Sequence, residues 1–229
     1  MRSSPVQRGG LCLALMWCGW SAVPFAQQLP KADTPQALSV GIVIDAHRQP
    51  QNVTEFERRV VEALAGALTS VAREAFAISY SDSVRLVADW APPASLSKGA
   101  AERFLVGGAQ AAGRGSVLND GLMEGLTKLG STAGGGRKVL IVIGEGNDEG
   151  STATSSQALA AARSQHIPCF VLLVAQHRAQ VGRVRQFGFD LYRLASGTGG
   201  KAYDVRTRPQ ALDEALQDVL KRLAPPLQT

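Results

Sequence analysis

Residues 38–44, Leu38-Ser39-Val40-Gly41-Ile42-Val43-Ile44, form a short run that is apolar on both faces of an extended strand. Such a strand cannot lie at a surface. It needs a covering layer above and below, which is the situation of a central strand in a parallel sheet flanked by helices. From Leu38 onward, Val- and Ile-rich runs alternate with segments of helical period, and Gly, Ser, Asp or Pro stand between them. This alternation specifies an α/β sheet.

Asp45 closes the first strand. Beyond it, Thr54-Glu55-Phe56-Glu57 reads as a capping box, with Thr54 and Glu57 satisfying the first amides of a helix that carries Val60, Leu64, Ala67 and Leu68 on one face. Strands over 75–80 and 84–89 are separated by Ser81-Asp82-Ser83, too short for a crossover helix, so this pair runs antiparallel. Pro92-Pro93 breaks the pattern before a helix over 95–105. A glycine-rich stretch, 107–115, then leads to Ser116, read as the N-cap of a helix lined by Leu118, Leu122, Leu126 and Leu129. The remainder predicts a strand over 138–143, a helix over 155–164, a strand over 168–174, a helix over 190–196, a strand over 201–205 and a helix over 208–223. Right-handed crossovers place helices on both faces of this doubly wound sheet. Ligands are then expected beyond the carboxyl ends of the strands, at the switch point beside the first one.

The first 26 residues have a different character. Arg2 and Arg8 precede an apolar run over 11–23 that ends at Pro24-Phe25-Ala26, the pattern of a secretory signal. Thirteen apolar residues rise only about 20 Å as a helix, short of a roughly 30 Å hydrocarbon layer. The mature chain is therefore expected to carry no stable membrane span and to lie in the periplasm or outside the cell. Residues 27–37 form a polar arm, 38–223 the domain, and 224–229 a tail after the last helix. Without Arg2 and Arg8 the chain holds 22 basic against 19 acidic residues, a scattered excess that makes no nucleic-acid footprint. Only Cys169 remains after processing, so no intramolecular disulfide is available, and its apolar surroundings mark it as a small core residue.

Five stretches occur in an order that resembles the von Willebrand factor type A domain, and within it the secreted bacterial branch. They are Val40-Gly41-Ile42-Val43-Ile44-Asp45, residues 78–87, Gly113-Arg114-Gly115-Ser116 with 117–122, Val139-Leu140-Ile141-Val142-Ile143-Gly144-Glu145-Gly146, and Leu194-Ala195-Ser196-Gly197-Thr198-Gly199-Gly200. The resemblance implies a six-stranded, mostly parallel sheet with one antiparallel strand. It also implies an adhesion site in which an Asp-x-Ser-x-Ser motif, a Thr and a second Asp hold Mg²⁺. Asp45 matches the first Asp, but His47 and Gln49 stand at the serine positions, Ser116 at the Thr, and Glu145 at the second Asp.

Magnesium demands near-octahedral oxygen ligands at about 2.0–2.1 Å, so the loss of two short hydroxyls matters. Two readings stay open. In one, Asp45, Ser116 and Glu145 with waters hold Mg²⁺ or another divalent cation, with the His47 nitrogen favouring a transition metal. In the other, the same residues form a metal-free, hydrogen-bonded loop cluster.

Other constellations carry less. Gly144 to Gly150 has the look of a phosphate loop, but the third glycine is misplaced and Glu145, Asp148 and Glu149 would repel a pyrophosphate. Ser196 to Lys201 precedes a strand and reads as a helix end. No Gly-x-Ser-x-Gly elbow accompanies His47, His166 and His177, so no hydrolase is expected. Asp120 suits the positive end of its helix. Trp90 is read as packing beneath its loop or as a partner contact, and Arg178, Arg183 and Arg185 as a solvated basic segment. The expectation is an exported, non-catalytic binding module that recognises a protein partner through Asp45, His47, Gln49, Ser116 and Glu145. The alternative is an envelope structural or assembly protein that uses another face.

Overall fold

The computed structural model describes residues 37–46, 51–97, 116–132, 136–174, 189–206 and 210–224. The strand β1, Leu38–Asp45, is buried at every position and lies mid-sheet. It is followed by helix α1 (Gln51–Leu68), strands β2 (Glu74–Tyr80) and β3 (Val84–Ala91), and a short helix α2 (Pro93–Ser97). Next come α3 (Leu118–Gly130), β4 (Arg137–Gly144), α4 (Ser155–Ser164) and β5 (Cys169–Leu173). The chain continues through α5 (Phe189–Gly197), β6 (Ala202–Asp204) and α6 (Ala211–Leu223). The six strands lie in the order β3-β2-β1-β4-β5-β6, with only the β2–β3 pair antiparallel. This is the expected doubly wound α/β sheet.

The alternation of side chains along β1 divides the core in two. Val40, Ile42 and Ile44 pack with Val60 and Leu64 of α1 and with Val219 and Leu223 of α6. Val43 points the other way and joins Phe76 and Ile78 of β2, Leu122 and Leu126 of α3, and Leu191 and Leu194 of α5. Each strand residue thus serves one helical layer, because successive side chains leave opposite faces of the sheet. Gly41 is required by this packing: a Cβ there would stand 2.7 Å from the Phe76 ring, which is itself held edge-on against Trp90 at 4.6 Å between ring centres. Trp90 is therefore half-buried in the second core.

Two sequence-level expectations are corrected. Helix α1 begins at Gln51, so Thr54 and Glu57 lie inside it and the capping box does not form. The apolar stripe of this helix starts at buried Val53, a turn earlier than the local cap signal suggests. A capping box does occur at α4, where the Thr154 hydroxyl accepts from the Gln157 N–H at 3.2 Å and the Gln157 side chain accepts from the Thr154 N–H at 2.8 Å. Ser116 is not the cap of α3 either; that position is Val117, which makes no side-chain cap. Residues 1–36, the 98–115 stretch with its glycines, Arg178, Arg183, Arg185, and 225–229 lie outside the described residues. Among the described residues no helix is long and apolar enough to cross a membrane.

Two outcomes are expected from this packing. Gly41→Ala should lower unfolding free energy in urea by about 1–3 kcal/mol, the usual cost of overpacking a rigid core. Burial pushes the Cys169 thiol up to about 12, with the Thr198 hydroxyl acting weakly in the other direction. In a Cys12→Ser, Cys18→Ser background, a thiol reagent near neutral pH should therefore leave the native protein unmodified and label it promptly in denaturant.

Candidate functional site

The carboxyl ends of β1, β2 and β4 meet at one edge, and register decides who meets whom. Asp45 lies level with Tyr80 across the β1–β2 ladder, and Ile44 lies level with Ile143 across β1–β4, so Gly144 follows alongside Asp45. The Tyr80 hydroxyl donates to Asp45 Oδ2 at 3.2 Å, and both residues are buried. A Cβ on Gly144 would fall 2.7 Å from the Tyr80 hydroxyl and 2.8 Å from the Asp45 Cβ. Only glycine lets β4 come this close to the pair. The Ala46 N–H donates to the Tyr80 carbonyl at 2.8 Å, continuing the tie between the two strand ends.

The Gly144–Ser155 connection is laced to the start of α3. The Ser116 hydroxyl donates to the Asn147 carbonyl at 2.8 Å, and the Ser116 carbonyl accepts from the N–H groups of Glu149 and Gly150 at 2.9 and 3.2 Å. Asp148 accepts from the Asn119 side-chain amide at 2.8 Å and from the Asn119 backbone N–H at 3.3 Å. It thereby supplies, from another loop, the capping acceptor that Val117 at the N-cap cannot provide. Asp120 accepts from the Thr152 and Ala153 N–H groups at 3.0 and 2.8 Å. The Val117 N–H donates to the Ser81 carbonyl at 2.8 Å, so the hairpin turn joins the same network. Asp45, Ser116 and Glu145, distant in sequence, thus share one edge of the sheet. His47 and Gln49 lie outside the described residues.

Glu57 is the residue that sequence reading misplaced. It is 1% exposed, and its Oε1 has no hydrogen-bond partner among the described residues. Burial first, then the negative charges of Asp45 and Glu145, push its carboxyl up to about 9, while Arg206 acts in the opposite direction. Tyr80 is raised well above the ordinary phenol range, chiefly by burial and next by the Asp45 charge. The edge therefore holds, on α1, a buried carboxyl that keeps its proton at neutral pH. A signal for this was present: Glu57 falls on the stripe Val53, Val60, Val61 and Leu64, where a carboxylate has no ordinary place.

The family resemblance implies a cation site at these residues. The Ser116 hydroxyl is committed to a backbone carbonyl, and Asp45 accepts from a phenol. Among the described residues no group of three or more His, Cys, Asp or Glu is arranged to hold a metal ion. Chemically, the edge offers carboxyl, hydroxyl and amide groups for hydrogen bonding.

No family model matches the sequence, and no curated protein matches it. Solved structures do. The chain is similar to BatB from Bacteroides thetaiotaomicron, with a TM-score of 0.60, 16% identity, and coverage of 81% of this chain and 98% of that one. It is similar to a von Willebrand factor type A protein from Catenulispora acidiphila, with a TM-score of 0.56, 17% identity, and coverage of 82% of this chain and 43% of that one. It is also similar to the pilus adhesin SpaC from Lactobacillus rhamnosus GG, with a TM-score of 0.57, 11% identity, and coverage of 82% and 30%. The chain has a von Willebrand factor A-like fold.

Burial of the Glu57 carboxyl couples folding to pH. Between about pH 4.5 and 9 the native state holds a proton that the unfolded chain has released, so stability falls as pH rises through that window and is greatest below it. Denaturant titrations should show a decline of up to about 1.4 kcal/mol per pH unit there. Glu57→Gln, which keeps the shape and cannot titrate, should flatten it. An unchanged slope in this variant would mean that other groups carry the dependence.

Proposed function

We propose that this chain is an exported, non-catalytic binding module that recognises a protein partner through the edge formed by Asp45, His47, Gln49, Ser116 and Glu145. The observation that carries this reading is the von Willebrand factor A-like fold together with the hydrogen-bonded convergence of Asp45, Tyr80, Ser116 and the loop after β4 at the strands' carboxyl ends. That is where open α/β sheets bind ligands. Export is supported by the leader over residues 1–26, and an adhesive role by the likeness to a pilus adhesin. A hydrolytic role lacks a coherent nucleophile and base in the sequence. In this reading the edge works without a resident cation.

Site-specific photocrosslinking in the producing cell tests the location. A photoreactive residue at Glu149 should trap a partner, and adding Asp45→Ala with Glu145→Ala should abolish that trapping while the fold is retained. Capture from Leu86 on β3, 51% exposed, in place of the loop edge would reject this reading in favour of the structural one. Titration with Mg²⁺, Mn²⁺ or Zn²⁺ to about millimolar concentration should leave the melting temperature unchanged. A saturable rise would establish the cation-bridged version, in which an acidic side chain of the partner completes the shell.

A further inference from the structure

The other end of the sheet, where the parallel strands enter, carries a feature unrelated to the Asp45 edge. A cavity of about 400 Å³ opens between the first residues of β4 and β5, the α5–β6 turn and the last turn of α6. Its apolar lining is Val139, Phe170 and Leu223, all buried, and its polar lining is Arg137, Lys138, His166 and Arg222.

Among the described residues, the positive charge around this space is not matched by carboxylates. Arg137 donates to the Leu223 and Arg222 carbonyls at 2.8 and 3.4 Å, and Lys138 to the Gly130 and Thr132 carbonyls at 3.4 and 3.3 Å. Carbonyls at helix ends satisfy donors and attract cations, but they carry no formal charge. Among the described residues neither cation has a carboxylate at ion-pair distance. Arg222 does pair with Asp218, at 3.2 Å, but that carboxylate also serves Lys201 at 2.7 Å. Like charges grouped around an apolar-walled space repel one another unless an anion joins them.

His166 adds an independent mark. Its φ is 53°, and it alone among the described non-glycine residues has a positive φ. Its N–H donates to the Arg163 carbonyl at 3.1 Å, and that of Ile167 to the Ala162 carbonyl at 2.9 Å, closing the end of α4 in a turn that ordinarily uses glycine. The chain accepts an unfavourable backbone here, at a residue that lines the cavity.

We propose that this cavity binds a small organic anion, with a carboxylate or phosphate head met by Lys138, Arg137 and Arg222 and an apolar body against Val139, Phe170 and Leu223. Its size suits such a molecule. The His166 imidazole closes one side. The full-length protein should be titrated at constant ionic strength with phenyl phosphate, benzoate, inorganic phosphate and phenol, followed by calorimetry and by amide shifts. The expected result is saturable binding of phenyl phosphate or benzoate, whichever head the site prefers, with phosphate and phenol at least about tenfold weaker because each lacks half of the complement. Lys138→Met and Arg222→Gln should each weaken it about tenfold, the loss of one charge-assisted hydrogen bond. His166→Gly, which relieves the backbone and so keeps the fold, should weaken it severalfold. Shift changes should centre on residues 137–139, 166–170 and 222–223. Absence of saturable binding by about 10 mM, affinity undiminished in the Lys138 and Arg222 variants, or shifts confined to another face would each overturn the proposal.

Discussion

The structure depends on burying β1 completely. All eight of its residues are enclosed, and no single layer can do this, since alternate side chains leave opposite faces. Helices α1 and α6 cover one side and α3, α4 and α5 the other. A strand so enclosed must also have hydrogen-bonding neighbours on both edges, and β2 and β4 supply them. The chain turns first one way and then the other from β1, and this reversal opens the crevice at its carboxyl end. The site is thus a consequence of how the central strand is covered.

At that crevice, burial sets the chemistry. Asp45 closes β1 and is 2% exposed, and the Tyr80 hydroxyl donates to its carboxyl within the protein. Glu57 faces the field of Asp45 and Glu145 from α1, and keeping a proton is cheaper there than keeping a charge. Ser116 and Asp148 spend their polar groups on joining the loop after β4 to the N-terminal end of α3. The edge is consequently a carboxyl-rich cluster whose innermost groups, Asp45, Glu57 and Ser116, are buried. The strand-entry end has the contrary character, with basic residues around an apolar-lined cavity. Helix dipoles favour this division, since α3, α4 and α6 start at the first end and finish at the second.

The strands, their order of appearance and the one antiparallel hairpin were legible in the sequence, because β-branched runs and spacer lengths are local properties. Asp45, Ser116 and Glu145 were also legible as positions at strand or helix ends. Cys169 read correctly as a core residue for the same reason: its neighbours in sequence are its strand.

What only the tertiary structure decided concerns groups whose partners come from elsewhere in the chain. Thr54 and Glu57 match a capping box locally, yet the apolar face of α1 extends past them, and the gain from burying that stripe outweighs a cap. Ser116 matches a cap as well, but Asp148 from another loop takes over that task and leaves the serine hydroxyl to Asn147. The proton on Glu57, the Tyr80–Asp45 bond and the need for glycine at 144 each arise where three segments meet. Periodicity and composition determined which segments become strands and helices. Desolvation and the field of distant charges, which exist only after those segments assemble, determined what their side chains can do.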